Sequence, residues 1–132
     1  MFLLAKKLEI ESNKSFEKDG ITTKQWLVLA TIEQHATSLS LSDIAKALDM
    51  SHQNAKNIVL QLEKKGFATI EKDNDDKRTL RIATTAKSRS MWKKRNDLDR
   101  ENIDGFLSPL DFKESIRFSE MLHRLLESIG KK

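Results

Sequence analysis

The sequence predicts a mainly α-helical chain with one small β-hairpin, an α+β fold that forms a single domain over residues 1–132. Apolar residues recur at helical spacing along most of the chain. β-branched residues cluster in two short segments, 67–72 and 79–84, which the polar loop 73–78 separates. A hydrophobic content of 38% in 132 residues is sufficient for one buried core.

Two helices are predicted in the first quarter of the chain. Residues 1–18 carry one narrow apolar stripe, and Asp19-Gly20 ends the helix that they form. Thr22 and Gln25 have the spacing of a capping box, so we expect Thr22 to begin the second helix. That helix is apolar over a wide face, as a central core helix would be, at Trp26, Leu27, Leu29, Ala30 and Ile32.

The middle of the chain predicts two short helices joined by a tight turn. A polar connection over residues 34–38 precedes the first of them. Ser40 and Asp43 repeat the capping spacing, and the helix that they begin stops near Asp49. Ser51 follows almost at once and is placed to cap the next helix, so only a turn separates the two helices.

The second short helix has one apolar face and one polar face. We expect its inward face to consist of four residues at helical spacing, Ala55, Ile58, Val59 and Leu62. Gly66 suits the left-handed position that follows a helix end. Lys64 and Lys65 lie in the last turn, where positive charge complements the helix dipole.

Two further helices are predicted after the hairpin. Thr85 can cap a long helix, polar and basic for most of its length, that runs to about Gly105. Ser108 as cap and Pro109 at the first helical position predict the start of the last helix. This helix is rich in apolar residues at helical spacing, namely Leu110, Phe112, Ile116, Phe118, Met121, Leu122, Leu125, Leu126 and Ile129.

The order of these elements is that of a winged helix-turn-helix, which we predict over residues 22–85. In this arrangement the first short helix supports the second, whose outward N-terminal face enters the major groove of double-stranded DNA. Asparagine and glutamine amides can pair with adenine edges, while Lys56 and the amides at the helix start can bind phosphate. The predicted face consists of Ser51, His52, Gln53, Asn54, Lys56 and Asn57.

The hairpin loop and its surroundings supply the remaining candidate DNA contacts. Arg78 is the candidate for insertion into the adjacent minor groove, whose narrow shape and negative potential favour arginine. Lys77 is expected to lie on the DNA backbone. The basic stretch 87–100 either touches the DNA flanks or forms a solvated face. The net charge of +4 would double in a dimer, which is compatible with a polyanionic partner.

These residues resemble the multiple-antibiotic-resistance regulator (MarR) family of bacterial winged-helix repressors. The resemblance covers nearly the whole chain and implies that Asp76 braces Arg78 for entry into the minor groove. It rests on Ile44–Leu48, the turn Asp49–Ser51, the recognition-helix end Leu62–Phe67, and Asp76–Arg78 in the wing, as the hairpin and its loop are called.

The resemblance also implies an oligomer and an effector. The terminal helices, over residues 1–18 and 86–132, would form the interface of a homodimer. In the family, small phenolic or other ligands often bind between this region and the DNA-binding lobe. A small-molecule effector is therefore a candidate partner of this chain.

The chain departs from the family pattern at several positions. Asp49 stands where glycine is usual, but aspartate tolerates the left-handed conformation better than most residues, so we expect the turn to form. Thr84 and Ser88 occupy places where the family usually has leucine and glycine. Leu60 points outward by the helical count, at a position where a polar or acidic residue would be usual.

No cofactor, metal site or catalytic group is predicted, and we do not expect an enzyme. The chain has no cysteine, which excludes disulfides, thiolate zinc sites and thiol redox sensing. The acidic loop lacks the central glycine and terminal glutamate of a calcium loop. His35, His52 and His123 have no ligand spacing, so a metal sensor would require tertiary assembly. No nucleophile elbow or phosphate-binding glycine loop occurs.

Two tryptophans allow a structural and a functional interpretation. An aromatic residue on an apolar helix face is usually core, and we assign Trp26 to the core on that ground. For Trp92 both interpretations, core and the lining of a ligand pocket, remain open.

The leading hypothesis is a cytoplasmic, homodimeric, sequence-specific transcription regulator, a repressor or an activator, that places two recognition helices in successive major grooves of a pseudo-palindromic operator. The apolar opening Met1–Ala5 runs into Lys6 and Lys7, unlike a signal peptide, and no apolar run approaches a membrane span. The alternative is a winged-helix protein-interaction scaffold without sequence-specific DNA binding. A ligand-binding protein or enzyme on the same fold would require a buried cavity with convergent polar groups.

Overall fold

A computed structural model describes residues 1–35 and 38–129 and confirms a mainly α-helical fold with a small antiparallel sheet. This part of the chain contains six helices and three strands. In chain order they are α1 (Phe2–Glu17), α2 (Thr23–Gln34), β1 (Ser38–Ser40), α3 (Leu41–Ala47), α4 (His52–Lys64), β2 (Ala68–Lys72), β3 (Leu80–Thr84), α5 (Ala86–Leu107) and α6 (Phe112–Ser128). None of the described helices is long and apolar enough to cross a membrane.

The chain divides into two compact units, Met1–Lys93 and Lys94–Lys132. The first unit holds α1 to α4, the sheet and the beginning of α5, and the second holds the remainder of α5 and α6. Residues 36 and 37 of the predicted polar connection, and residues 130–132 of the predicted terminal region, lie outside the described residues.

The predicted starts of α2 and α3 are confirmed by side-chain caps. Thr22 Oγ1 accepts from the Gln25 amide at 3.2 Å, and Gln25 Oε1 accepts from the Thr22 amide at 3.1 Å, which completes the capping box. Ser40 Oγ accepts from the Asp43 amide at 3.1 Å. These bonds satisfy amide groups that the first turn of a helix leaves without backbone partners.

The sheet has the strand order β1-β3-β2, with both pairs antiparallel. The predicted hairpin is β2-β3, in which Ile70 lies opposite Ile82. The strand β1 was not predicted, and in it Leu39 lies opposite Ile82 from the other side. Because β1 is only three residues long and has no β-branched residue, its strand conformation depends on pairing with β3, which the local sequence does not reveal.

The core of the first unit lies where α2, α3 and α4 pack against the sheet. Its most deeply buried apolar residues are Val28, Leu29, Ile32, Ile44, Ala55, Val59, Leu62 and Ile82. Leu27, which the wide apolar pattern of α2 placed in the core, is 40% exposed instead. The exposed position arises because α2 turns only part of its circumference toward the core, so its apolar pattern is wider than its buried face.

The last helix begins later than Ser108-Pro109 predicted, because a competing cap lies downstream. Asp111 accepts from the Glu114 amide at 2.8 Å, and Glu114 accepts from the Asp111 amide at 3.0 Å, so a complete capping box begins α6 at Phe112. Ser108 instead donates its hydroxyl to the Gly105 carbonyl at 2.8 Å. It therefore belongs to the end of α5, which continues past Gly105 to Leu107.

Ser88, which stands where the related family usually has glycine, is completely buried in the first turn of α5. Its amide donates to Thr85 Oγ1 at 3.4 Å, in agreement with the predicted cap. Its own hydroxyl has no hydrogen-bond partner among the described residues. The position therefore accommodates a side chain, but the hydroxyl loses its bonds to water on folding.

We expect Ser88→Ala to stabilise the protein by about 1 kcal/mol, because it removes a desolvated hydroxyl and raises helix propensity. Urea unfolding at one fixed protein concentration measures the change. Ser90→Ala, at an exposed position of the same helix, gives the propensity effect alone. A Ser88→Ala variant no more stable than Ser90→Ala would show that the buried hydroxyl is satisfied in solution.

Candidate nucleic-acid interface

A tight turn between α3 and α4 sets the angle of the second helix. Asp49 adopts a left-handed conformation there, with a φ of 52°. The Met50 amide donates to the Ala45 carbonyl at 3.0 Å, which closes the turn back onto α3. The turn therefore forms with aspartate at the position where glycine is usual, as expected from the tolerance of aspartate for this conformation.

The helix α4 has one buried and one exposed side, as the sequence predicted. Ala55, Val59 and Leu62 are at most 1% exposed and pack in the core, and Ile58 packs partly against it. Each of the six residues of the predicted DNA-reading face is exposed, namely Ser51, His52, Gln53, Asn54, Lys56 and Asn57. The apolar contacts thus leave the polar side of α4 accessible to a partner.

Two kinds of hydrogen bond occur at the start of α4, a cap and a bond between side chains one turn apart. Ser51 Oγ accepts from the Asn54 amide at 3.1 Å, which confirms the predicted cap. One turn further on, Gln53 Nε2 donates to Asn57 Oδ1 at 3.0 Å. That bond aligns the two amides on one face, and each retains donor and acceptor capacity for a base edge.

In the loop between β2 and β3, Asp76 organises the backbone around Arg78. Asp76 Oδ1 accepts from the Arg78 amide at 3.0 Å and from Arg78 Nε at 3.4 Å. Asp76 Oδ2 accepts from the Thr79 hydroxyl at 3.4 Å. The Arg78 side chain is nevertheless 93% exposed, so its guanidinium projects from an ordered loop. An ion pair this exposed adds little stability, and its effect is to orient the arginine.

The structure also shows the exposure of two further residues singled out from the sequence, Lys77 and Leu60. Lys77 is exposed beside Arg78, and Leu60 is 44% exposed on the outward side of α4, where nothing in the structure explains an apolar residue. Within the described part of the chain, no group of three or more acidic or histidine side chains is arranged to hold a metal ion.

The two tryptophans belong to both the core and a cleft. The Trp26 ring stacks on Phe16 with centroids 5.4 Å apart and lies 5.5 Å from the Trp92 ring. Neither indole nitrogen has a hydrogen-bond partner in the regions that the structure describes. The two rings also line an open cleft of about 390 Å³, together with Ala30, Glu33, Gln34 and Arg89.

One basic residue of the stretch 87–100 does not lie on an accessible face, contrary to the sequence interpretation. Arg95, in the basic stretch 87–100, is only 3% exposed and donates to Asp99 at 2.9 Å. Lys65 and Lys87 turn their ammonium groups to backbone carbonyls of the protein. No local signal marks these residues, because their partners, except Asp99, are distant in sequence.

A family model described as MarR family matches residues 19–79, a range that includes α2, the helix-turn-helix, β2 and the loop that follows β2. The match covers slightly less than half of the chain, and over this range the chain is similar to the MarR family. This similarity agrees with the resemblance that the sequence suggested, and the fold is the winged-helix fold of solved MarR structures.

Two curated relatives of this chain are transcription regulators from bacteria. The transcriptional activatory protein BadR of Rhodopseudomonas palustris is 28% identical over 94 residues, which cover 70% of this chain and 54% of BadR. The match therefore spans about half the length of that relative. The transcriptional repressor MprA of Escherichia coli is 26% identical over 130 residues, which cover 98% of this chain and 73% of MprA.

Solved structures show the same fold at low sequence identity. Staphylococcus aureus MepR in complex with DNA superposes with a TM-score of 0.84 at 22% identity, covering 97% of this chain and 94% of that one. A mutant MarR from E. coli complexed with operator DNA gives 0.85 at 17% identity, covering 95% and 89%. The proteins named here are regulators rather than enzymes.

Proposed function

We propose that this chain is a MarR-type homodimeric repressor that binds a pseudo-palindromic operator in double-stranded DNA. The observation that carries the proposal is that α4 has two different sides. Its apolar side is buried, and all six residues of its polar N-terminal side are exposed. Amides on such a face suit base edges in the major groove. Structural neighbours that include a MepR–DNA complex and an operator-bound MarR support this use of the fold.

Each predicted site residue has a role in this proposal. Gln53, Asn54 and Asn57 read bases, whereas His52, Lys56 and the capped helix start at Ser51 contact bases or phosphates. In the wing, Arg78 enters the minor groove, Lys77 binds the backbone, and Asp76 orients Arg78 through the bonds described above. The DNA-binding lobe comprises residues 22–85.

The homodimer in this proposal is formed by the terminal regions, 1–18 and 86–132. Its support is the apolar surface that α1 and α6 leave exposed, including Phe2 at 94%, Phe112 at 80% and Leu126 at 71% exposure. Apolar surface of this kind is characteristic of an interaction site. Two DNA-binding lobes related by a two-fold axis would match the symmetry of a palindromic site. Binding to chromosomal DNA places the protein in the cytoplasm.

We further propose that a small aromatic effector modulates DNA binding. The support is the cleft of about 390 Å³ whose lining includes Trp26 and Trp92, since aromatic side chains favour aromatic ligands. One structural neighbour, the organohalide-sensing RdhR regulator, was solved in a form bound to 2,4-dichlorophenol, with a TM-score of 0.85 and 16% identity. Quenching of tryptophan fluorescence by phenolic compounds tests this part of the proposal.

Selection of binding sites from random duplex DNA tests the main proposal. We expect a palindromic consensus with half-sites centred about one helical turn apart, as two recognition helices of a symmetric dimer require. If no sequence is enriched even at low salt, a winged-helix protein-interaction scaffold becomes the better explanation.

Asn54→Ala is expected to relax the base preference at one or two positions of the selected site. The loss should be about 1–3 kcal/mol at each position, the value of an amide–adenine pair. Binding to single-base variants of the selected duplex measures it. Asn96→Ala, at an exposed position of α5, is the control and should leave preference unchanged. An Asn54→Ala protein with unaltered preference would remove this residue from base reading.

A further inference from the structure

The C-terminal end of α4 is held to the turn between α1 and α2 by a lysine. Lys65, the C-cap residue that follows α4, donates from Nζ to the Gly20 carbonyl at 2.6 Å and to Gln25 Oε1 at 2.9 Å. Gly20 lies in a left-handed turn with a φ of 75°. The lysine thus connects the end of α4 to a turn that is 45 residues earlier in the chain.

Gln25 is the centre of this connection, which we call the α4 anchor and define by Lys65, Gln25, Gln61 and Gly20. The Gln25 side chain is buried, and its Oε1 accepts from both the Thr22 amide and Lys65 Nζ. Its Nε2 donates to Gln61 Oε1 at 2.9 Å, one turn before the end of α4. One buried amide therefore joins the start of α2 to two positions at the end of α4. Hydrogen bonds in such low-dielectric surroundings are stronger than in water.

A second tether approaches the same helix end from α5. Lys87 Nζ donates to the Lys65 carbonyl at 2.7 Å and lies 4.6 Å from the centre of the Phe67 ring. Thr85 donates its hydroxyl to the Gly66 carbonyl at 2.7 Å. A cation at this point complements the helix dipole and satisfies a carbonyl that the last turn leaves without a helical partner.

We propose that Lys65, Gln25 and Lys87 are positioning residues, which set the tilt of the recognition helix α4 without contacting DNA. The apolar contacts of Ala55, Val59 and Leu62 are not directional, so they permit small rotations of the helix. Hydrogen bonds from two sides restrict those rotations because they require defined angles. The inference rests on the proposed DNA binding. It also means that Lys65 and Lys87, which donate to backbone carbonyls, do not bind DNA phosphates.

The test compares Lys65→Met with Lys64→Met, which removes the same charge from the exposed neighbouring residue. Affinity for the selected duplex is measured across a range of salt concentrations. We expect Lys65→Met to weaken binding about tenfold beyond Lys64→Met, the effect of losing a charge-assisted hydrogen bond. The dependence of log K on log salt should remain that of the unsubstituted protein, because no phosphate contact is lost.

Two substitutions of Gln25 provide the second measurement. Gln25→Glu keeps an acceptor for Lys65 and Thr22, so its affinity should stay within about twofold of the unsubstituted protein. Gln25→Leu removes every hydrogen bond of the Gln25 side chain and leaves only the bond from Lys65 to Gly20, so it should also weaken binding. If circular dichroism shows that Lys65→Met does not fold, Lys87→Met carries the same expectation for affinity and salt dependence.

Two results would overturn the proposal. A salt slope reduced by about one in Lys65→Met would mean that Lys65 neutralises a phosphate. An affinity equal to that of Lys64→Met would mean that the anchor does not position α4. Failure of the unsubstituted protein to bind any selected duplex would instead contradict the proposed function, so the two failures are distinguishable.

Discussion

Arg78→Ala should lower the affinity for the selected operator about 10- to 100-fold, corresponding to about 1–3 kcal/mol. The Arg78 side chain is 93% exposed, so its removal takes almost no packing from the protein itself. A loss of affinity would therefore report a contact with DNA. Fluorescence anisotropy with a labelled duplex measures the change, and urea unfolding checks that stability is unaltered.

Substitutions at two neighbouring residues show whether the loss of affinity in Arg78→Ala comes from the shape of the guanidinium group or from its charge alone. Lys77→Ala removes the same charge from the adjacent exposed residue and should weaken all sequences about equally, with a salt slope lower by about one. Asp76→Asn weakens the orientation of Arg78 while leaving the guanidinium in place, so its effect should be smaller than that of Arg78→Ala. Arg78→Ala binding within twofold of the original protein would exclude this residue from the interface.

Leu126→Glu is expected to convert the proposed homodimer to a monomer at micromolar concentration. Leu126 is 71% exposed in the chain, and none of the described residues of α6 is buried, so the substitution spares the fold of the protomer. A two-fold interface buries the residue twice. Because each buried leucine contributes about 1.5–3 kcal/mol, the dissociation constant of the dimer should rise at least about a hundredfold. Sedimentation equilibrium measures this constant.

Arg124→Gln is the matched control for this prediction. It lowers the net charge of the protomer by the same single unit, but it lies on the charged side of α6, opposite the apolar residues. We expect this variant to remain dimeric and to bind the operator. A Leu126→Glu protein that stays dimeric would contradict the proposed role of α6. A monomer that still binds the palindrome at full affinity would contradict the need for a dimer.

The helix caps and the exposed polar face of α4 were predictable because they depend on residues close in sequence. The bonds at Thr22, Ser40 and Ser51 each join residues three positions apart, so the sequence displays both partners together. The bond from Asp76 to the Arg78 amide spans two positions. The start of α6 also depends on residues close in sequence, yet it was predicted wrongly. Ser108-Pro109 and the pair Asp111 and Glu114 are competing helix-start signals at neighbouring positions.

By itself, the sequence determined the helical periodicity, the hairpin and the polar face of α4, since each follows from alternation or spacing within one segment. Only the tertiary structure decided that β1 pairs with β3 and that Lys65 turns inward to Gly20 and Gln25. Partners about 40 residues apart meet only after the chain has folded, so their pairing is absent from any local pattern. A lysine looks the same in sequence whether it binds a phosphate or a carbonyl, and folding determines which of them it reaches.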